Sequence, residues 1–168
     1  MIENPRIDRA KLLLLSHSSL YKLDKLEMGE HVPRISIGSL ATFLSSKEVN
    51  VLVVQNNSIE YIKEKVLEFK PDYIGLTAYT FEICDAGLMA HEIKQISPNV
   101  KVIIGGCHVS AIPERTLQEF PGFDIGVIGE GEYTLLDIAL GKKAEGIHGI
   151  VHRTDNSIVI NPTRERIR

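Results

Sequence analysis

The sequence predicts an α/β domain: a doubly wound, five-stranded parallel sheet with a β-hairpin appended at its C-terminal end. Two observations carry this. Five short runs rich in β-branched or aliphatic residues alternate with longer amphipathic segments, the periods of a repeated strand-then-helix unit. Runs such as "KVIIGG" and "DIGVIG" are near-continuously apolar, as strands covered by helices on both faces must be.

The strands are expected at Lys11 to Ser16, Asn50 to Val54, Tyr73 to Thr77, Lys101 to Ile104 and Asp124 to Ile128. Between the first two, Ile37, Leu40, Ala41 and Leu44 share one face of a helix over Ile37 to Ser45. Ile59, Ile62, Val66, Leu67 and Phe69 do the same in the next unit. A third helix is expected over about Phe81 to Ile96 and a fourth over about Pro113 to Phe120, where Pro113 suits a first turn that needs no backbone donor. Right-handed crossovers leave few topologies for such units, and the flavodoxin-like (Rossmann-like) order 2-1-3-4-5 is the commonest. In "GIVHRTDNSIVIN", two short apolar runs flank Thr154 to Ser157, which is hairpin chemistry. The closing "PTRERIR" is charged, lacks a core pattern and reads as a linker or a cut end. The expected organisation is therefore an α/β unit over 1–146 and a hairpin with linker over 147–168.

Composition narrows the function. The 168 residues carry a net charge of -3 with no Lys/Arg cluster, which disfavours nucleic acid as a partner. The apolar runs are strand length and the N-terminus is polar, so neither a membrane span nor a signal segment is expected, and the cytoplasm is the expected location. Cys84 and Cys107 form no CxxC pair, against both a disulfide framework and a structural zinc site.

In an open parallel sheet, ligands bind beyond the carboxyl ends of the strands at the switch point, here between strands one and three. The unusual features all fall on that edge: the long first connection, Ser16 to Arg34; "TAYTF" after strand three; "GGCHVS" after strand four; and "GEGE" after strand five. Gly105 and Gly106 at a strand end admit a close approach or a positive φ, and equally suit a tight turn that launches the next helix. Glu130 and Glu132 favour amide or hydroxyl donors over a polyphosphate, or merely charge the start of the fifth helix. Thr77 and Thr80 offer hydroxyls to a ligand or to local backbone donors. His17, His31 and His108 lie on the same edge, where a locally bonded imidazole is the commoner use, and Cys107 reads as a small buried residue.

Together, "PDYIGLTAYT", "VIIGGCHVSAIPE" and "DIGVIGEGEYTLLDI" resemble the N-terminal cobalamin (vitamin B12)-binding domain of the cobalamin-dependent radical S-adenosylmethionine (SAM) enzymes, across nearly the whole chain. The resemblance implies a corrinoid held with its dimethylbenzimidazole tail detached from cobalt and buried against the sheet. It implies cofactor contacts from Thr77, Ala78, Tyr79, Thr80, Gly105, Gly106, Cys107, His108, Gly129, Glu130, Gly131 and Glu132. On this reading the two glycines clear space for the tail, and Gly106→Leu is expected to abolish retention with the fold intact.

Two departures bound what carries over. Other B12 proteins place a histidine cobalt ligand in a D-x-H-x-x-G motif after strand one, and "DKLEMGEH" lacks it, so no metal ligand is assigned; His17, Tyr21 and His31 stay as candidates. The C-x3-C-x2-C segment that ligates the [4Fe-4S] cluster is also absent, so the cluster and S-adenosylmethionine belong to a catalytic domain that would be the partner, acting as a methyltransferase or a rearrangement enzyme. No residue of this chain is expected to be catalytic. A cofactor-free regulatory or assembly domain of the same fold is the alternative. A phosphoacceptor receiver is disfavoured because Ser16-His17-Ser18 stands where its acidic cluster would be.

Overall fold

A computed structural model describes residues 9–15, 34–55 and 58–165. Strands β1 (Lys11–Leu15), β2 (Asn50–Val54), β3 (Tyr73–Thr77), β4 (Lys101–Gly105) and β5 (Ile125–Val127) pair in parallel in the order 2-1-3-4-5. That is the expected topology. The hairpin, β6 (Ile150–Arg153) and β7 (Ile158–Ile160), continues the same sheet, because β6 pairs antiparallel with β5 and β7 with β6, giving seven strands among the described residues. The Arg153 guanidinium fastens the hairpin from beneath: its Nε donates to the Phe123 carbonyl at 2.9 Å, and its Nη2 bonds the Leu117 carbonyl.

Side-chain alternation along each strand divides the interior into two layers. Leu13 and Leu15 of β1, Ile74 and Leu76 of β3, and Val102 and Ile104 of β4 face helices α2 (Ile59–Phe69) and α3 (Ile83–Ile96). Val109 of a short helix α4 (Cys107–Ala111) and Leu117 of α5 (Pro113–Glu119) complete that layer. Leu12 and Leu14, Ile103 and Val127 face the other way, against α1 (Ile35–Ser46) and α6 (Glu132–Ala139). The run Leu12 to Leu15 is apolar throughout because both of its faces are covered.

Several local expectations change. Ser16 lies outside the described residues, as do His17, Tyr21 and His31 and the first connection up to residue 33. Leu67, expected on the apolar face of α2, is 56% exposed: the helix buries only Ile62 and Val66, a stripe too narrow to reach it. The segment before α3 is a separate 3-10 turn, Thr80–Glu82. The segment between β4 and Pro113 is helical, an element that five residues are too short to announce by periodicity. The final segment is docked rather than loose over 161–164. Asn161 donates its amide to the Ala144 and Ile147 carbonyls at 2.6 and 2.8 Å, and Arg164 Nε bonds Thr134 Oγ1 on α6 at 3.0 Å.

Candidate functional site

At the carboxyl ends of β3, β4 and β5, on the α1/α6 face, lies a cavity of about 400 Å³. The register explains why it is there. Leu14, Gly75 and Ile103 lie side by side across the sheet, and one step further out Thr77 pairs with Gly105. In each of these rows one position carries no side chain, so the layer between sheet and helices is left unfilled at its tip.

The glycines in this region do different things. A Cβ built on Gly105 meets nothing nearer than the Leu76 carbonyl oxygen at 3.8 Å, so a side chain there would extend into open cavity. Gly106 is held at φ 102, and a Cβ there would stand 2.6 Å from the Ala78 carbonyl oxygen and 3.1 Å from its nitrogen. Gly105 therefore clears space, whereas Gly106 lets two backbones approach. The expectation that Gly106→Leu would leave the fold intact is corrected accordingly: any side chain at 106 collides with main chain that cannot swing aside. Gly75 serves the cavity less directly, since its missing Cβ is overlain by Leu14, whose Cδ2 would lie 2.6 Å from it.

The lining sorts by depth. Leu14, Ile37, Ile103, Val127 and Leu135, each at most 4% exposed, form aliphatic walls. Among the described residues every polar lining side chain is half-buried or exposed, so the deeply buried side chains of the lining are all apolar. Of the polar residues, Thr77 closes β3, and Glu130 and Glu132 stand on the β5–α6 connection, with Glu132 in the first turn of α6, where a carboxylate suits the helix dipole.

Hydrogen bonds hold the three connections together. Ser110 Oγ donates to the Gly106 carbonyl at 2.9 Å and accepts the Gly129 N–H at 3.0 Å, tying the β4–α4 turn to the β5–α6 turn. The Ala78 N–H donates to the Gly105 carbonyl at 3.2 Å. On the opposite lip, the buried Glu82 carboxylate accepts the Tyr79 N–H at 2.9 Å and pairs with Arg34. The Arg34 guanidinium stands 5.0 Å from the Tyr79 ring centroid, and Phe81 stacks on the same ring at 5.7 Å.

Most of the residues singled out from sequence meet at this cavity: Thr77, Ala78, Tyr79, Gly105, Gly106, Cys107, Gly129, Glu130, Gly131 and Glu132 all line it. Cys107 is exposed there, not buried, because it begins α4 at the mouth. Thr80 sits exposed on the 3-10 turn, and His108 is buried on α4 with no hydrogen-bond partner at Nε2; neither lines the cavity. Sequence reasoning passed over Arg34, Glu82 and Ser110, whose partners are remote in the chain. It also passed over Gly75, although a glycine inside a strand is a legible signal. Among the described residues no group of His, Cys, Asp or Glu is placed to hold a metal ion.

A family model described as B12 binding domain matches residues 21–139. The chain belongs to the B12-binding domain family. Among curated proteins, this B12-binding domain is 30% identical over 151 residues to an uncharacterized methyltransferase of Pyrococcus horikoshii, covering 86% of the present chain and 33% of the relative. It is 33% identical over 81 residues to the anaerobic magnesium-protoporphyrin IX monomethyl ester cyclase of Rubrivivax gelatinosus, covering 48% and 15%. It is 25% identical over 103 residues to the cobalamin-dependent radical SAM methyltransferase TokK of Streptomyces tokunonensis, covering 58% and 15%. Its fold matches that of the radical S-adenosylmethionine methyltransferase TsrM of Kitasatospora setae, solved with cobalamin and a [4Fe-4S] cluster bound. The TM-score is 0.73 at 23% identity, over 96% of this chain and 30% of that one. The B12-binding domain thus spans about a third or less of the proteins it matches. No helix among its described residues is long and apolar enough to cross a membrane.

Proposed function

We propose that this domain is the cobalamin carrier of a cytoplasmic radical SAM enzyme of the methyltransferase or rearrangement class, holding the corrinoid with its nucleotide tail detached from cobalt and inserted into the cavity. The observation that carries the reading is the vacancy at Gly105: a slot at the strand tips whose deeply buried side chains, among the described residues, are all aliphatic. A volume of about 400 Å³ suits the body of a small ligand such as the nucleotide, with the larger macrocycle lying across the rim.

In this arrangement Gly105 and Leu14 give the tail its bed, and Ile37, Ile103, Val127 and Leu135 exclude water from it. Thr77 at the mouth meets the tail's polar edge. The Glu130 and Glu132 carboxylates accept hydrogen bonds from ribose hydroxyls or corrinoid amides. Ala78, Tyr79, Gly106, Cys107, Gly129 and Gly131 shape the rim, and Ser110 keeps its two halves in register. When bound, the cofactor supplies a cobalt centre able to carry a methyl group; this chain contributes position and exclusion of solvent. The cluster, S-adenosylmethionine and the substrate fall to a catalytic domain, toward which the hairpin and exit segment over 147–168 lead from the α/β unit over 1–146.

The test is reconstitution with hydroxocobalamin, desalting, and the visible spectrum. A retained chromophore with the spectrum of a tail-detached corrinoid is the expected result. A colourless protein overturns the reading.

A further inference from the structure

The depth profile of the cavity bears on which corrinoids it accepts. Among the described residues the buried lining is aliphatic side chain and Gly75, while Arg34, Glu130 and Glu132 are half-buried or exposed, and Thr77 offers a single hydroxyl beside Gly105, half-buried like it. We infer that the slot selects corrinoids by the chemistry of their lower base, taking an apolar, methylated benzimidazole and discriminating against a purine. This inference rests on the carrier reading above.

A base that reaches the walls formed by Ile37, Ile103, Val127 and Leu135 leaves water behind. Benzimidazole methyl groups gain there from burial of apolar surface. The ring nitrogens and exocyclic amine of adenine lose hydrogen bonds to water and find no side-chain partner among those walls. An apolar pocket rejects such a near-isostere only moderately, by about 10- to 100-fold, because the penalty is confined to the added polar atoms.

Gly75 sets the depth available to the base. A methyl group there would press on Leu14 Cδ2, at 2.6 Å from the built Cβ, and Leu14 itself lines the cavity, so a shift of its far end alters the space left for the base. Gly75→Ala therefore raises the floor at little cost to the fold, since nothing in the contact is main chain.

The experiment measures equilibrium binding of three probes to the 168-residue chain by absorbance: hydroxocobalamin, its adeninyl counterpart and cobinamide, which has no nucleotide tail. Hydroxocobalamin is expected to bind at least tenfold more tightly than the adeninyl form. Gly75→Ala is expected to weaken hydroxocobalamin at least tenfold while leaving cobinamide unchanged. Equal affinity for the two based corrinoids would overturn base selection and leave the carrier reading standing, as would a Gly75→Ala variant that weakens cobinamide just as much. Failure of all three probes to bind would overturn both.

Discussion

Neighbouring glycines 105 and 106 make opposite predictions, and substituting them separately tests how the cavity works. Gly105→Leu places a side chain on the α1/α6 face, where a Cβ has only the Leu76 carbonyl oxygen at 3.8 Å. A leucine side chain fills on the order of 100 Å³, a large part of a cavity of about 400 Å³. If the nucleotide base is excluded, the burial of roughly 150 Å² of aromatic surface is lost, about 4 kcal/mol at ~25 cal/mol per Å². At tenfold per ~1.4 kcal/mol, hydroxocobalamin should bind about 100- to 1,000-fold more weakly. Thermal unfolding should be nearly unchanged, because a non-glycine residue suits the end of a strand. Gly106→Ala should do the reverse. Strain at φ 102 and a contact 2.6 Å from the Ala78 oxygen cost about 3 kcal/mol. For a chain of this size that lowers the midpoint by about 5–10 °C. Circular dichroism melts and absorbance titrations on both variants decide the matter. Gly105→Leu protein that melts normally and binds hydroxocobalamin within threefold of the parent would refute the claim that the tail occupies this slot.

Two further outcomes concern the supports around the cavity. Ser110→Ala removes a donor to Gly106 O and an acceptor for Gly129 N–H; the expected loss is about 1–2 kcal/mol, with faster hydrogen exchange at the Gly129 amide than at the β3 amides, and uniform acceleration would count against a local tie. Asp137, on α6, is pushed up by burial, but hydrogen bonds and charge from Lys142 and Arg164 outweigh this and hold its carboxyl below the ordinary value of 3.8. With the folded-state pKa below the unfolded one, the contribution to stability is present above about pH 4 and is lost as pH falls through the folded-state value. Asp137→Asn should therefore be less stable than the parent at neutral pH, with the gap closing as pH falls below about 4 in denaturant titrations; a gap independent of pH would show that the Arg164 contact to α6 does not depend on the charge of Asp137.

Much of the architecture was legible before any coordinates, because both faces of each central strand are buried and apolar runs with strand-helix periodicity report that directly. Leu12 to Leu15, Val102 to Ile104 and the faces of α1 and α3 follow from their own residue order. The edge that carries the cavity was legible for the same reason: loops rich in glycine, threonine and glutamate stand out against such runs. The short helix Cys107–Ala111 was hidden, since five residues display no period. The docked exit segment was hidden too, since Asn161 and Arg164 work through single hydrogen bonds that leave no pattern.

From sequence alone came the doubly wound class, the strand order, the edge that carries the cavity and the presence of a glycine pair at its centre. Only the tertiary structure separated the two glycines into one that clears space and one that permits backbone contact. It also recruited Gly75, Ser110, Arg34 and Glu82, and extended the sheet through the hairpin. The reason is that periodicity encodes which face a residue presents, and this is local. What a residue meets on that face depends on inter-strand register and on loops brought together across the sheet: Glu82 meets Arg34, 48 residues away, and Gly129 meets Ser110, 19 away.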